Sequence, residues 1–193
     1  MKAILALDLE TTGLDPTKDE IVQIGVILLD RNLKRIAAME SLVKPDFLDR
    51  MYSKGENGYS AYSIHEIEEN DLKDAPTLNK VIVKLDRFIE TNLSDVDPKD
   101  IVLFGTNVQF DNAFLHQAYD KVGKKWPFDY HILDLPSFYT SWYITQNKRL
   151  PESLRLKDMC IEVGISNDQP HSAIHDIATS VGILRHIVGE IDD

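Results

Sequence analysis

One cysteine, Cys160, stands alone in 193 residues. No disulfide can form within the chain and no thiolate cluster can hold zinc, so a reducing, cytoplasmic setting is expected. Long apolar runs are also missing. None approaches the ~20 residues that a membrane-spanning helix needs, and no membrane partner is expected. The opening Met1-Lys2-Ala3-Ile4-Leu5-Ala6-Leu7-Asp8 has no small-residue cleavage site and runs into acids, which predicts a buried strand rather than a signal peptide. Repeats, low-complexity tracts and Pro/Gly-rich linkers are absent too, so a single domain over 1–193 is expected. Positive charge is scarce. Twenty-one Lys and Arg face 32 Asp and Glu, a net charge of −11. Composition alone therefore disfavours a polyanionic substrate, unless bound divalent cations invert the sign locally.

What is present alternates between two periods. Residues 3–9 form a continuous apolar run, as expected of a central strand covered on both faces. Residues 21–29 and 35–43 predict two more strands around an Asp30-Arg31-Asn32 turn. Residues 53–60 read as a flexible loop. After Pro76, the residues Leu78, Val81, Ile82, Leu85, Phe88 and Ile89 fall on one helical stripe. A turn at 97–100 leads into a short buried strand at 101–104. Helices are expected over 111–122, 135–147, 155–163 and 173–188, with a strand near 130–134. This order predicts an α/β domain with a mixed five-stranded central sheet flanked by helices, antiparallel at the start and parallel later.

The chemistry lies in four acids and a histidine. Asp8 and Glu10 sit two apart at the end of the first strand, so both side chains point to one face. They stand where open α/β sheets bind ligands. A lone pair of this kind is more often a solvated strand end, but Thr11-Thr12-Gly13-Leu14 makes a tight, small-residue turn straight after it. Asp111 follows the 101–104 strand and has a bland reading as a helix-start acid. Asp176 lies within the last helix, with Ala173 and Ser180 one turn away on either side, leaving its carboxylate room. His171, five residues earlier, can converge with Asp176 only from a loop ahead of the helix, which Asn167-Asp168 and Pro170 favour. An imidazole ordinarily titrates near ~6.5, which suits a general base at neutral pH. His116, His131, His175 and His186 read as structural or solvent-exposed.

Three segments together carry a resemblance. Asp8-x-Glu10-Thr-Thr-Gly-Leu-Asp-Pro, then Asn107-x-x-Phe110-Asp111-x-x-Phe114-Leu115, then His171-x-Ala173-x-x-Asp176 resemble the three motifs of the DEDDh (DnaQ-like) exonucleases, in order. That family includes the proofreading subunit of bacterial replicative polymerase, RNase T and oligoribonuclease. The motifs span Asp8 to Asp176, nearly the whole chain. Ile64-His65-Glu66-Ile67 is similar to the family's His-Gly-Ile segment, with Glu66 in place of glycine, and Thr106 stands where many members have histidine. The resemblance implies an RNase H-like fold and 3′–5′ exonuclease activity releasing 5′-mononucleotides from single-stranded or frayed DNA or RNA. It implies that Asp8, Glu10, Asp111 and Asp176 hold two divalent ions, Mg²⁺ or Mn²⁺, with His171 as general base. It further implies that Thr11, Thr12, Leu14, His65, Asn107 and Phe114 contact the terminal nucleotide, although Phe114 reads equally well as core.

Two other classes stay open at this point: a catalytically silent nucleic-acid- or protein-binding domain of the same fold, and a phosphohydrolase acting on nucleotides. The five intact catalytic positions argue against the first. DNA and RNA fit the motifs equally, as do a monomer and a homodimer.

Overall fold

The computed structural model describes residues 2–55, 58–167 and 171–189. Its elements are β1 (Ala3–Thr11), β2 (Ile21–Leu29), β3 (Arg35–Leu42), α1 (Tyr62–His65), α2 (Glu69–Lys73), α3 (Leu78–Asn92), β4 (Ile101–Gly105), α4 (Val108–Lys121), β5 (Ile132–Asp134), α5 (Leu135–Thr145), α6 (Leu156–Val163) and α7 (Ala173–Ile187). They form a mixed five-stranded sheet in the order β3-β2-β1-β4-β5. The β1–β2–β3 half is antiparallel, while β4 and β5 run parallel to β1, as the sequence order predicts.

β1 is central and covered on both faces, and its alternation positions the acids. Ala3, Leu5, Leu7 and Leu9 pack with Val81, Ile82 and Leu85 of α3 and Leu115 and Ala118 of α4. Ile4 and Ala6 pack on the other face with Leu135 and Tyr139 of α5 and Ile177 and Val181 of α7. Each large apolar side chain fully buried in this way contributes about 1.5–3 kcal/mol. A one-residue slip of β1 would send both rows to the wrong face, so the register is strongly specified. Continuing the even row brings Asp8 and Glu10 out on the α7 side. A register shift between Glu10 and Thr11 then ends the regular ladder beside them.

α7 approaches the sheet unusually closely. Gly25 pairs with Asp8 across the β1–β2 ladder. A Cβ on Gly25 would lie 2.5 Å from the backbone of Ala173 and Ile174, so only glycine admits the helix here. Gln23, the cross-strand partner of Glu10, accepts the Ala173 N–H at 3.1 Å and so caps α7 from the neighbouring strand.

Several local outcomes differ from expectation. α4 starts at Val108, three residues early, because the carboxylate of distant Asp134 accepts the Val108 N–H at 3.1 Å. In the 53–60 segment, Lys54 bridges Ser60 and the Gly55 N–H donates to the Tyr59 carbonyl at 2.9 Å, pairing that the loop reading did not include. Residues 56 and 57 of that segment lie outside the described residues, as do Asp168 and Pro170 ahead of α7. α1 and α2 were not anticipated: helices of four and five residues are too short to show a period.

Candidate active site

Three of the four acids converge. Asp8 and Glu10 from β1 and Asp176 from the first turn of α7 place carboxylate oxygens within 4.8 Å of one another. Asp111, buried in the first turn of α4, accepts the Leu9 N–H at 2.9 Å and so stands directly behind the strand that carries the pair. Among the described residues no Lys or Arg pairs with any of the four. Ionising the cluster would therefore concentrate negative charge with no cation beside it.

Its electrostatics follow. Burial, then the Asp176 charge, pushes the Asp8 carboxyl up to about 8. Burial, then Asp8 and Asp176, pushes Glu10 up to about 9. Asp111 is also raised, chiefly by burial and next by Asp8, against the opposing Leu9 N–H bond. Acids that resist ionising together at neutral pH, with hard oxygen donors and no paired cation, make a poor salt bridge and a good divalent-cation site. The residues present thus fit divalent metal ions.

His171 lies outside α7, exposed and at φ +68°, on the loop that its spacing from Asp176 demands. Its backbone N–H donates to Asp176 Oδ2 at 3.0 Å, and Asn167 Nδ2 donates to Oδ1 at 2.7 Å. His175 is exposed and shares a 3.0 Å hydrogen bond with the Ser172 hydroxyl.

A cavity of about 650 Å³ adjoins Glu10, lined among others by Thr11, Thr12, Leu14, His65 and Phe110. Leu14 projects into solvent, 72% exposed, at its edge. The threonine hydroxyls are committed to the turn: Thr11 Oγ1 donates to the Gly13 carbonyl, and Thr12 Oγ1 accepts the Glu20 N–H. His65 is buried, its Nδ1 accepting the Ile67 N–H at 3.0 Å while Nε2 has no protein partner. That bond assigns the remaining proton to Nε2, and burial, then His171, pushes the ring down to about 4. His65 is thus a neutral donor at physiological pH. Asn107 is exposed at φ +58° ahead of α4. Phe114 is 2% exposed and packs in the core, 4.9 Å from Phe110 between ring centres. Phe110, one turn earlier, lines the cavity in its place. Thr106 bonds Ser180 of α7 through their hydroxyls at 2.9 Å, a packing role.

Sequence reasoning missed Phe110 as a wall residue, Gln23 as the remote cap of α7, and Asn167 as a partner of Asp176. Arg50 and Lys54 also line the cavity, with Arg50 tied to Asp19 at 2.8 Å. No periodicity marks such residues, because their roles come from contacts between segments far apart in the chain.

Comparison with known proteins agrees with this geometry. The oligoribonuclease of Azoarcus sp. (strain BH72) is 26% identical over 188 residues, covering 95% of this chain and 91% of that protein. The nuclease domain of 3′hExo, a DEDDh family member solved bound to rAMP, superposes with a TM-score of 0.71 at 19% identity, over 97% of this chain and 93% of that one. E. coli exonuclease I in complex with a dT13 oligonucleotide gives 0.78 at 18% identity over 98% of this chain, which spans 42% of that longer chain. The shared architecture is the RNase H-like fold. A family model described as an exonuclease matches residues 5–184, and the chain belongs to that exonuclease family.

Proposed function

We propose that this exonuclease removes 5′-mononucleotides from the 3′ end of single-stranded or frayed DNA or RNA, and that Asp8, Glu10, Asp111 and Asp176 hold two Mg²⁺ or Mn²⁺ ions. The observation that carries it is the gathering of Asp8, Glu10 and Asp176 within 4.8 Å at the end of a buried strand, with two of them pushed toward neutrality. Such a pair of ions neutralises charge building on the phosphate and assists both attacking and leaving oxygens.

The chain's own residues supply the rest. His171, free on its loop, takes a proton from the attacking water. His65 Nε2–H, neutral and fixed in tautomer by Ile67, donates to an oxygen of the terminal nucleotide. Phe110 and exposed Leu14 flank its base, a mode that tolerates any base. The 11–14 turn lines the cavity beside Glu10, where the last nucleotide of a chain would lie. The oligoribonuclease relative, the rAMP-bound nuclease domain and the dT13-bound exonuclease support single strands of either sugar as substrate. Residues 1–193 act as one exonuclease domain in the cytoplasm. No helix among the described residues is long and apolar enough to cross a membrane.

Digestion of matched DNA and RNA 5-mers, linear and circular, tests the proposal. Linear strands should shorten from the 3′ end to 5′-mononucleotides only with Mg²⁺ or Mn²⁺, and Asp8→Ala should be inactive yet folded. Cutting of the circle, hydrolysis in excess chelator, or activity confined to free nucleotides would overturn it.

A further inference from the structure

Asp176 needs holding. Its helix neighbours one turn away, Ala173 and Ser180, are small, and the terminal torsion of an aspartate is a broad, soft one. Asp8 and Glu10, within 4.8 Å, repel it whenever they are ionised. Two N–H donors oppose that repulsion, one on each oxygen: Asn167 Nδ2 at 2.7 Å and the His171 backbone at 3.0 Å. The first is a side chain and neither is a metal-ligand candidate. The orientation of the Asn167 amide follows from its partner, since a carboxylate accepts and cannot donate. Its Oδ1 is buried with no protein partner. Buried polar atoms are usually paired, so the geometry favours the nitrogen's bond at the oxygen's expense.

We propose that Asn167 is a positioning residue for the metal site: its amide fixes the rotation of the Asp176 carboxylate toward Asp8 and Glu10. The inference rests on the proposed role of Asp176 as a metal ligand.

The test is Mn²⁺ affinity of the full chain without substrate, read from free Mn²⁺ by electron paramagnetic resonance. Asn167→Ala should weaken binding by roughly 10–100-fold, the range seen when a ligand's hydrogen-bond partner is removed. Asn167→Asp, which replaces the donor with a repelling oxygen, should weaken it at least as much. Saturating Mn²⁺ should restore most of the turnover of Asn167→Ala but none of that lost in His171→Ala, a split that a merely structural role would not produce. Unchanged Mn²⁺ affinity in either folded Asn167 variant overturns the inference. Asp176→Ala separates the two levels: if it binds Mn²⁺ like the wild type, the ligand assignment itself fails. If Asp176→Ala loses affinity while the Asn167 variants keep it, only the present inference fails.

Discussion

Replacing Gly25 by alanine perturbs the site without touching any functional side chain. The new methyl would stand 2.5 Å from the backbone of Ala173 and Ile174. Ordinary carbon contacts need about 3.5 Å, so the start of α7 must retreat by roughly 1 Å. Backbone cannot swing aside as a flexible side chain can. The retreat carries Asp176, one turn further on, away from Asp8, which is itself the cross-strand partner of Gly25. It also stretches the Gln23 bond to the Ala173 N–H. A misplacement of about 1 Å at a reacting centre costs roughly 10²-fold in rate. Overpacking of this kind costs about 1–3 kcal/mol of stability, or roughly 2–4 °C of Tm per kcal/mol for a chain of this size. The assay is single-turnover hydrolysis of an end-labelled 5-mer at saturating Mn²⁺, alongside thermal melting. Gly182→Ala is the control: it lies on the same helix, and its Cβ would meet nothing nearer than the Ile165 side chain at 3.6 Å. It should keep full activity and gain slightly in stability, as alanine does over glycine within a helix. A Gly25→Ala enzyme with turnover within threefold of wild type would refute the close-approach argument.

His171→Ala should lower turnover by about 10²–10⁴-fold, as loss of a general base does, while His175→Ala does far less; equal losses would refute the assignment. In cation-free protein, Asp8 and Glu10 hold protons up to about 8 and 9, whereas in the unfolded chain they release them near the ordinary ~4. The folded state binds the extra protons, so the stability these two carboxyls contribute is fully present below about pH 4 and is lost as pH rises toward 8–9. Melting in chelator should show the Tm of the wild type falling relative to that of Asp8→Asn as pH rises from about 4 to 9, and Mg²⁺ at pH 8 should restore it; a wild-type-minus-variant difference that stays constant over this range would contradict the raised values. Binding of a 30-mer by the His171→Ala variant should depend weakly on salt, with a log–log slope of about −1.5 to −2. The cations flanking the 12–20 turn are already committed, Lys18 to Asp15, Arg50 to Asp19, and Lys121 to Glu20 and Asp46. A steep slope with much tighter binding of the 30-mer than of a 5-mer would reveal a basic track elsewhere on the surface.

The sequence by itself determined the sheet and the face on which Asp8 and Glu10 emerge. An apolar run long enough for a central strand, ending in Asp8-x-Glu10, can bury its two rows in only one register, so the carboxylates had to emerge together on one face. The five-residue interval from His171 to Asp176 likewise forced the histidine off the helix, because 3.6 residues per turn would otherwise point it elsewhere. Tertiary structure alone decided which segments meet. That Phe110 rather than Phe114 forms the cavity wall depends on where α4 begins, and that start is set by Asp134, 26 residues downstream of Val108. The closeness of α7 to β2 depends on a missing Cβ at Gly25, and the hold on Asp176 depends on Asn167 and a backbone N–H. Local periodicity reports which face of an element is apolar. It carries no information about the partner that a hydrogen-bonding group will find across the fold, and such partners are what bring Asp176 of α7 to Asp8 and Glu10 of β1.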